Sequence, residues 1–490
     1  LKQIRTPGTV NIDLYNLFRK ELRLESYALN DVAAHLLGGK IKAVAGGDGG
    51  DGGGDGGCVV TLDDSQGMVQ GGVISLSSPG VGFERRVVES VDGNRVTVSG
   101  ARREWTEWGH AKDDVTPKDI FRMSSSGIPE EATVVANYCK QDCALVYGLF
   151  DKYDSYTALT EMSNIGRVPL EFLILRGQGI KLTSLLVGEC GKRGRVVEDI
   201  CRVHPDEPYD GAVVLTPRSG IYRDPVACLD YASLYPSADI SDNVSHETKK
   251  WYIQHDLEGN VVKRVGDFDG PLAPGHHLIT RDFPTYKRVS VPKRGGGYKR
   301  VKAPSGTRTV GIVQYPPGEH SMMPIVLANL LKQRKATRAR AKHKRVTTTG
   351  GLVCEGAMSE DEESGDLTIT ADDGTVTAVV AADVAKVVHR FSEFIRNILE
   401  KRQLTYKVLA NSLYGGTGAT TSQFYEPDVA ALITAIGRSL LGFAKGVMEG
   451  IYNKRRVIVD GEPYLATAEC IYGDTDSVFT LWKIWAAAGH

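Results

Sequence analysis

One short stretch near the end of the chain limits the fold more than any other: LATAECIYGDTDSVFTLW, residues 465–482. Apolar, β-favouring residues stand on both sides of Gly473-Asp474-Thr475-Asp476-Ser477. That pattern predicts a β-hairpin with its turn at the acidic pair. Two carboxylates held so close repel one another when both are ionised. A divalent cation relieves the repulsion, and one or two carboxylates plus substrate phosphates suit Mg²⁺. Asp and Ser are also ordinary turn residues, so the turn by itself serves either reading.

A second acid, Asp230, ends the strand-like run VACLD and precedes Tyr-Ala-Ser-Leu-Tyr-Pro-Ser. Taken alone it is a strand-terminating Asp. If its strand lies beside the terminal hairpin, Asp230 and Asp476 can clamp two cations about 3.5–4 Å apart, the spacing used in phosphoryl transfer. Two helical segments add complementary groups. Arg334 and Arg338 are four apart and share a face, with Lys332, Lys335 and Arg340 around them. The planar Arg fork matches phosphate oxygens, although a solvated basic helix reads the same way. Lys407, Asn411 and Tyr414 follow i, i+4, i+7 spacing, placing a cation, an amide and an aromatic ring on one face. That helix is expected to end at Gly415-Gly416, where glycine caps a C-terminus.

Together these segments resemble family-B DNA polymerases, in the family's order. DYASLYPS (230–237) is similar to motif A, KVLANSLYG (407–415) to motif B and YGDTDS (472–477) to motif C. MPIVLANLLKQRKATRARAK (323–342) is similar to the fingers helix, YDGAVVLTPRSGIY (209–222) to the segment before the palm, and NYCKQDCALV (137–146) to the third exonuclease motif. The two inserts and SDNVSHET after motif A look most like polymerases of large DNA viruses, with delta-type enzymes as the cellular counterpart.

The resemblance implies roles. Asp230 and Asp476 would be the metal-binding carboxylates for two Mg²⁺ ions, and Asp474 an auxiliary acid. The backbone at Leu234 would help hold the nucleotide metal, and Tyr235 would be a steric gate against a ribose 2′-OH. Arg334, Arg338 and Lys407 would grip the triphosphate, while Asn411 and Tyr414 line the nascent base pair. The reaction would be attack of a primer 3′-OH on the α-phosphate. Primer–template DNA and dNTPs would be the partners, with a sliding clamp or accessory subunits beyond them. The place of action would be the nucleus for a cellular enzyme or the infected-cell replication site for a viral one. Tyr138 and Asp142 match the last exonuclease motif, but the earlier acidic motifs have no counterpart upstream, so no 3′–5′ exonuclease is expected of this chain. Ala238-Asp239 follows motif A where the family has two isoleucines, which puts an acid near the expected nucleotide pocket.

Other classes fit less well. Asp474-Thr475-Asp476-Ser477-Val478 also satisfies the D-x-D-x-V pattern of aspartyl-phosphate hydrolases, in which the motif lies near the start of the fold with further acids far downstream. A reverse transcriptase would carry two adjacent Asp after Tyr. A polymerase-like relic that binds DNA without extending it is the non-enzymatic alternative.

Composition sets outer bounds. The 490 residues suffice for several domains, and 41% hydrophobic with 24% charged residues are ordinary for a globular protein. The net charge of −1 shows no global basic excess, but a nucleic-acid groove needs only local positive charge. No run of about 18 apolar residues stands out, so no membrane span is expected. The chain does not open on Met or on a signal peptide, and a partial start is expected. Eight Cys without a CxxC pair indicate neither a zinc ribbon nor an iron–sulfur frame, and fit a reducing compartment.

The expected fold class is α+β: a ferredoxin-like palm with helical fingers, preceded by an incomplete ribonuclease-H-like exonuclease domain. Residues 1–150 are assigned to that domain, with TVNIDLY (9–15) as a strand and 43–111 as a Gly-rich linker and β insert. The linker is GGDGGDGGGDGG (46–57), and a hairpin flanks Asp92-Gly93-Asn94. Residues 151–225 form the connection and the start of the palm, with one amphipathic helix over 171–186. Residues 226–318 are palm with a polar insertion, and 319–415 are fingers with an acidic loop over 346–382. Residues 416–490 return to the palm, with no thumb expected after motif C.

Overall fold

The computed structural model describes residues 8–45, 57–65, 68–78, 81–100, 103–111, 115–197, 208–293 and 297–486. It divides into two units, Leu1–Thr160 and Glu161–His490.

In the first unit, Asp13 caps α1 (Leu14–Glu21) by accepting a hydrogen bond from Tyr15 N. The expected strand over 9–15 is therefore not formed: a good N-cap in front of an apolar i, i+3, i+4 pattern favours helix. The helix α2 (Leu29–Leu36) leads into six strands, β1 (Gly38–Ala45), β2 (Cys58–Leu62), β3 (Val73–Ser78), β4 (Val81–Asp92), β5 (Arg95–Val98) and β6 (Glu107–Ala111). They close a barrel in the order β1-β2-β5-β4-β3-β6 around Val60, Leu62, Ile74, Leu76, Val96, Val98 and Trp108. The β4–β5 turn is Gly93-Asn94, the hairpin anticipated at that site. The barrel starts at Gly38, earlier than the expected insert, because β1 pairs with both β2 and β6 and so closes the sheet. The glycine run 46–56 lies outside the described residues. Three helices follow, α3 (Pro117–Ser125), α4 (Pro129–Lys152) and α5 (Ser155–Gly166), the last crossing the unit boundary. Leu145 and Leu149 of α4 pack on Phe18, Val32 and Ala33.

The second unit opens with α6 (Leu170–Leu175) and α7 (Gln178–Lys192). The single helix expected over 171–186 is interrupted because Arg176 is extended and Gly177 precedes the new start. Next come β7 (Val214–Leu215), β8 (Val226–Asp230) and α8 (Leu234–Ser241). The stretch 246–318, expected as a polar insertion carrying turns, holds a four-stranded antiparallel sheet. It comprises β9 (Lys249–His255), β10 (Val261–Gly266), β11 (His277–Pro292) and β12 (Tyr298–Gln314), in the order β10-β9-β12-β11. Few of its side chains are buried, so the apolar alternation that announces a strand is weak.

Helix α9 (Met322–Ala341) is followed by β13 (Lys344–Thr348), β14 (Val353–Glu360), β15 (Leu367–Thr370), β16 (Val376–Val379) and β17 (Val384–His389). These five strands are one sheet with its own core of Val346, Cys354, Leu367, Ile369 and Val379. The acidic loop expected over 346–382 is thus a β module; the acidic run supplies only the β14–β15 turn.

The chain continues through α10 (Glu393–Gly418), α11 (Pro427–Ile451), β18 (Arg455–Val459), β19 (Glu462–Asp474) and β20 (Ser477–Ala486). α9 and α10 pack along a seam containing Leu327, Leu330, Leu409 and Leu413. Each such burial contributes about 1.5–3 kcal/mol. α10 runs past Gly415 and Gly416 to Gly418. Gly416 serves close packing here, since a Cβ there would lie 2.8 Å from Leu182 Cδ1. The last sheet has the order β18-β19-β20-β8, with β7 paired to the end of β19. Among the described residues one helix, α11, is long and apolar enough to cross a membrane by length and composition, although no membrane span was expected from the sequence. In the fold its Val429–Ile433 run lies in a core with Val310 and Ile312, and Asp428 receives Arg308, as befits an interior helix.

Candidate active site

The site forms where the last sheet ends. β8 pairs antiparallel with β20, placing Asp230 opposite Ser477. The backbone N–H of Tyr231 donates to Asp476 O at 2.8 Å, tying motif A to the turn. The turn is two residues, Thr475-Asp476, between the paired residues Asp474 and Ser477. Thr475 has φ 57°, and its N–H donates to Val213 O at 3.0 Å. A β-branched residue in the left-handed region is uncommon, and such strain persists where surrounding contacts enforce it. Ser233, just before α8, also has φ 57°.

The electrostatics follow from this crowding. The Asp476 carboxyl is pushed up from its ordinary value by burial, then by Asp230 and Asp474, while Lys407 acts in the opposite sense. The Asp474 carboxylate accepts hydrogen bonds from Thr475 Oγ1 at 2.9 Å and Tyr472 Oη at 3.3 Å. Among the described residues no group of three or more His, Cys, Asp or Glu could by itself hold a metal ion. Two mutually repelling carboxylates at the end of a sheet fit a cation that draws its remaining ligands from substrate and water.

Leu234 is buried in the first turn of α8, and the neighbouring Tyr235 ring stacks on Tyr414 at 4.5 Å between centroids. Gly437 permits this approach; a Cβ there would lie 3.0 Å from the Tyr235 ring. Burial, and then Tyr209 and Tyr235, push the Tyr414 hydroxyl up, so Tyr414 stays neutral. Asn411 is exposed on α10, between Lys407 and Tyr414.

From α9, Arg334 Nη1 donates to Ser233 Oγ at 3.3 Å and its Nε to Gln403 Oε1 at 3.4 Å. Arg334, Lys335, Arg338 and Lys342 line an open groove of about 550 Å³ with Ser233. Burial, then Arg338, push the Arg334 guanidinium down. Adjacent cations without a carboxylate between them favour a polyanionic ligand.

The sequence-predicted residues Asp230, Asp474, Asp476, Leu234, Tyr235, Lys407 and Tyr414 are thus gathered at one end of the sheet, and Arg334 reaches them through Ser233. Tyr138 and Asp142 lie one turn apart on α4 in the other unit. Asp239 is wholly buried, with neither carboxyl oxygen hydrogen-bonded, so it faces the interior and not a nucleotide pocket. Sequence reading missed Ser233, Gln403, Lys342 and Tyr209. Gln403 and Lys342 each stand four residues from a named cation, Lys407 and Arg338, which is the signal that could have found them.

A profile for DNA polymerase family B matches residues 168–352 and 385–488. Over 514 residues the chain is 34% identical to the DNA polymerase of Phaeocystis pouchetii virus, covering 100% of this chain and 43% of that protein. Over 490 residues it is 34% identical to the DNA polymerase of Pyramimonas orientalis virus, covering 99% and 36%. Over 370 residues it is 28% identical to the DNA polymerase delta catalytic subunit of Candida albicans, covering 76% and 27%. The chain therefore spans less than half the length of these relatives.

Proposed function

This chain belongs to DNA polymerase family B, and from that premise we propose that it carries the polymerisation centre of a template-directed DNA polymerase. The observation that carries the reading is the pairing of β8 with β20, which sets Asp230 against the Asp474-Thr475-Asp476 turn. In this reading the last sheet is the palm, α9 and α10 are the fingers, and the first unit is the end of an exonuclease-like domain.

Asp230 and Asp476 would hold the divalent cations on which the family depends, and Mg²⁺ in two positions suits an oxygen-only donor set. Bound there, the cations supply charge neutralisation at the reacting phosphate and an acidified primer hydroxyl. The protein's own groups do the positioning. Arg334, Arg338 and Lys407 bind the triphosphate, with Lys335 and Lys342 extending the same groove. Asp474 supports the turn, and the Leu234 backbone faces the triphosphate. Tyr235, held against Tyr414 and Gly437, occupies the space of a 2′-OH; a steric clash discriminates where attraction cannot. Asn411 and Tyr414 line the nascent base pair, and template pairing selects the base. Catalysis of this kind is chiefly positioning and electrostatic stabilisation.

The test supplies a primed template with each dNTP singly. Addition of only the complementary nucleotide, with release of pyrophosphate, is expected. Addition regardless of template, or none at all, would refute the reading. Action in the nucleus or at a viral replication site, and clamp or accessory partners, follow from the same kinship.

A further inference from the structure

A second cationic cavity lies beyond the groove of Arg334 and Arg338. It forms where α9 ends, α10 begins and the β13–β17 module joins them, and it measures about 610 Å³, the size of a small-ligand pocket. Its wall carries Lys342 just past α9, Lys344 of β13, His389 of β17, and Arg396, Asn397 and Glu400 from the early turns of α10.

The carboxylates of the β module compensate its other face. Arg345 and Arg390 both meet Glu355, and Arg390 also meets Asp372. One residue along each strand, and so facing the other way, Lys344 stands directly opposite His389, with Nζ 3.5 Å from Nε2. The His389 imidazole is held below its ordinary value first by Lys344, then by burial and by Arg396, and no carboxylate offsets them. Among the described residues Lys342, Lys344 and Arg396 form no ion pair. Arg396 Nε is buried without a hydrogen-bond partner, which in a folded protein is rare enough to require a reason. Glu400 stands four residues from Arg396, the spacing of a helical ion pair, yet it accepts from Gln403 Nε2 at 3.0 Å instead. The wall thus sets three lasting cations against one carboxylate that is engaged elsewhere.

The cavity and the groove are continuous. Arg334, Arg338 and Lys342 form one stripe at four-residue spacing, and Lys342 lines both spaces. Eight residues of helix put the two ends of the stripe about 12 Å apart. Gln403 joins them a second time, since it accepts from Arg334 Nε at 3.4 Å and donates to Glu400.

We propose that this cavity is a second binding site for a short phosphoanhydride chain, a pyrophosphate or triphosphate group, at the far end of the triphosphate groove. Lysine ammonium groups supply point charges, and the arginine fork matches phosphate oxygens. A compact polyanion engages several of these cations at once. A nucleic-acid strand is the poorer fit, because among the described lining residues there is no aromatic ring on which a base could stack. The site stands on its own lining. The source of its ligand, departing pyrophosphate or an arriving dNTP, rests on the polymerase reading.

The test is calorimetric titration of the DNA-free chain with inorganic tripolyphosphate. Two equivalents are expected, one in the groove and one in the cavity. Lys344→Gln/Arg396→Gln should weaken one of them about tenfold or more and leave the other within about twofold. Arg345→Gln/Lys386→Gln removes the same charge from the opposite face of the module and should keep both. Lys344→Arg/Arg396→Lys should also keep both, and equal unfolding temperatures separate loss of contact from loss of fold. Titrations with pyrophosphate and with a dNTP then distinguish the sources: the leaving group if pyrophosphate fills the second position, the incoming nucleotide if a dNTP alone does. A wild type without a second equivalent, a cavity variant that binds as wild type does, or an equal loss in the opposite-face variant overturns the proposal and leaves the groove standing. Displacement of the second equivalent by oligothymidylate would make the cavity a nucleic-acid surface and overturn it as well. Failure of template-directed addition would remove the polymerase reading and the source of the ligand, while the second equivalent of tripolyphosphate would persist.

Discussion

Asp239 shows how a single residue can run against its neighbourhood. Its carboxyl is pushed well above the ordinary value by burial and by Glu247. Such a group leaves stability intact below its unfolded value of 3.8 and costs stability as pH rises through the higher folded value. Asp239→Asn should therefore raise the unfolding temperature at pH 8, by the equivalent of about 1–3 kcal/mol, and do little near pH 4. Thermal melts at the two pH values check this; an equal effect at both would contradict it. Tyr235 offers a functional counterpart. Tyr235→Ala should raise the relative incorporation of ribonucleotides by about tenfold or more, read from competing dNTP and rNTP incorporation. The carboxylates of the two acidic segments and the cations of α9 and α10 stood out in the sequence by residue type and spacing. The interior position of Asp239 did not, because a buried acid without a partner contradicts every compositional expectation.

At the scale of elements, Gly418 is the most exacting position in α10. A Cβ there would meet the Tyr209 hydroxyl, whose neighbour Tyr414 stacks on Tyr235. Gly418→Ala should displace Tyr209 and weaken dNTP binding several-fold, seen as a raised KM with stable DNA affinity; an unchanged KM would show that the tyrosines do not act as a unit. Leu409, fully buried in the α9–α10 seam, should cost about 2–5 kcal/mol when cut to Ala, measured by denaturant unfolding. The long helices and the terminal hairpin could be read from periodicity alone. The β9–β12 sheet could not, because β10 and the outer parts of β11 and β12 are largely exposed and lack the alternation on which such readings depend. Gly415-Gly416 was expected to end α10 as a cap, yet the helix runs on to Gly418, since the packing of Gly416 against Leu182 is a tertiary fact.

The whole molecule combines a site assembled from segments far apart in sequence with two β modules of their own. Asp230 and Asp476 stand 246 residues apart in the numbering, yet the strand that Asp230 ends pairs with the strand that Asp476 precedes. No local pattern states that adjacency; the order of three motifs only implied it. The barrel over 38–111 and the sheet over 344–389 have separate hydrophobic cores, and much of each lies outside the matched family profile. The central claim is that Asp230 and Asp476 act together in nucleotide transfer. Its most direct test is single-turnover incorporation of one dNTP with Mg²⁺ by wild type, Asp230→Ala and Asp476→Ala, with duplex binding measured in parallel. Each variant should lose about 10³-fold or more in rate while keeping its affinity for the duplex. A variant that retains a rate within about tenfold of wild type, with the chain folded and bound, would contradict the claim.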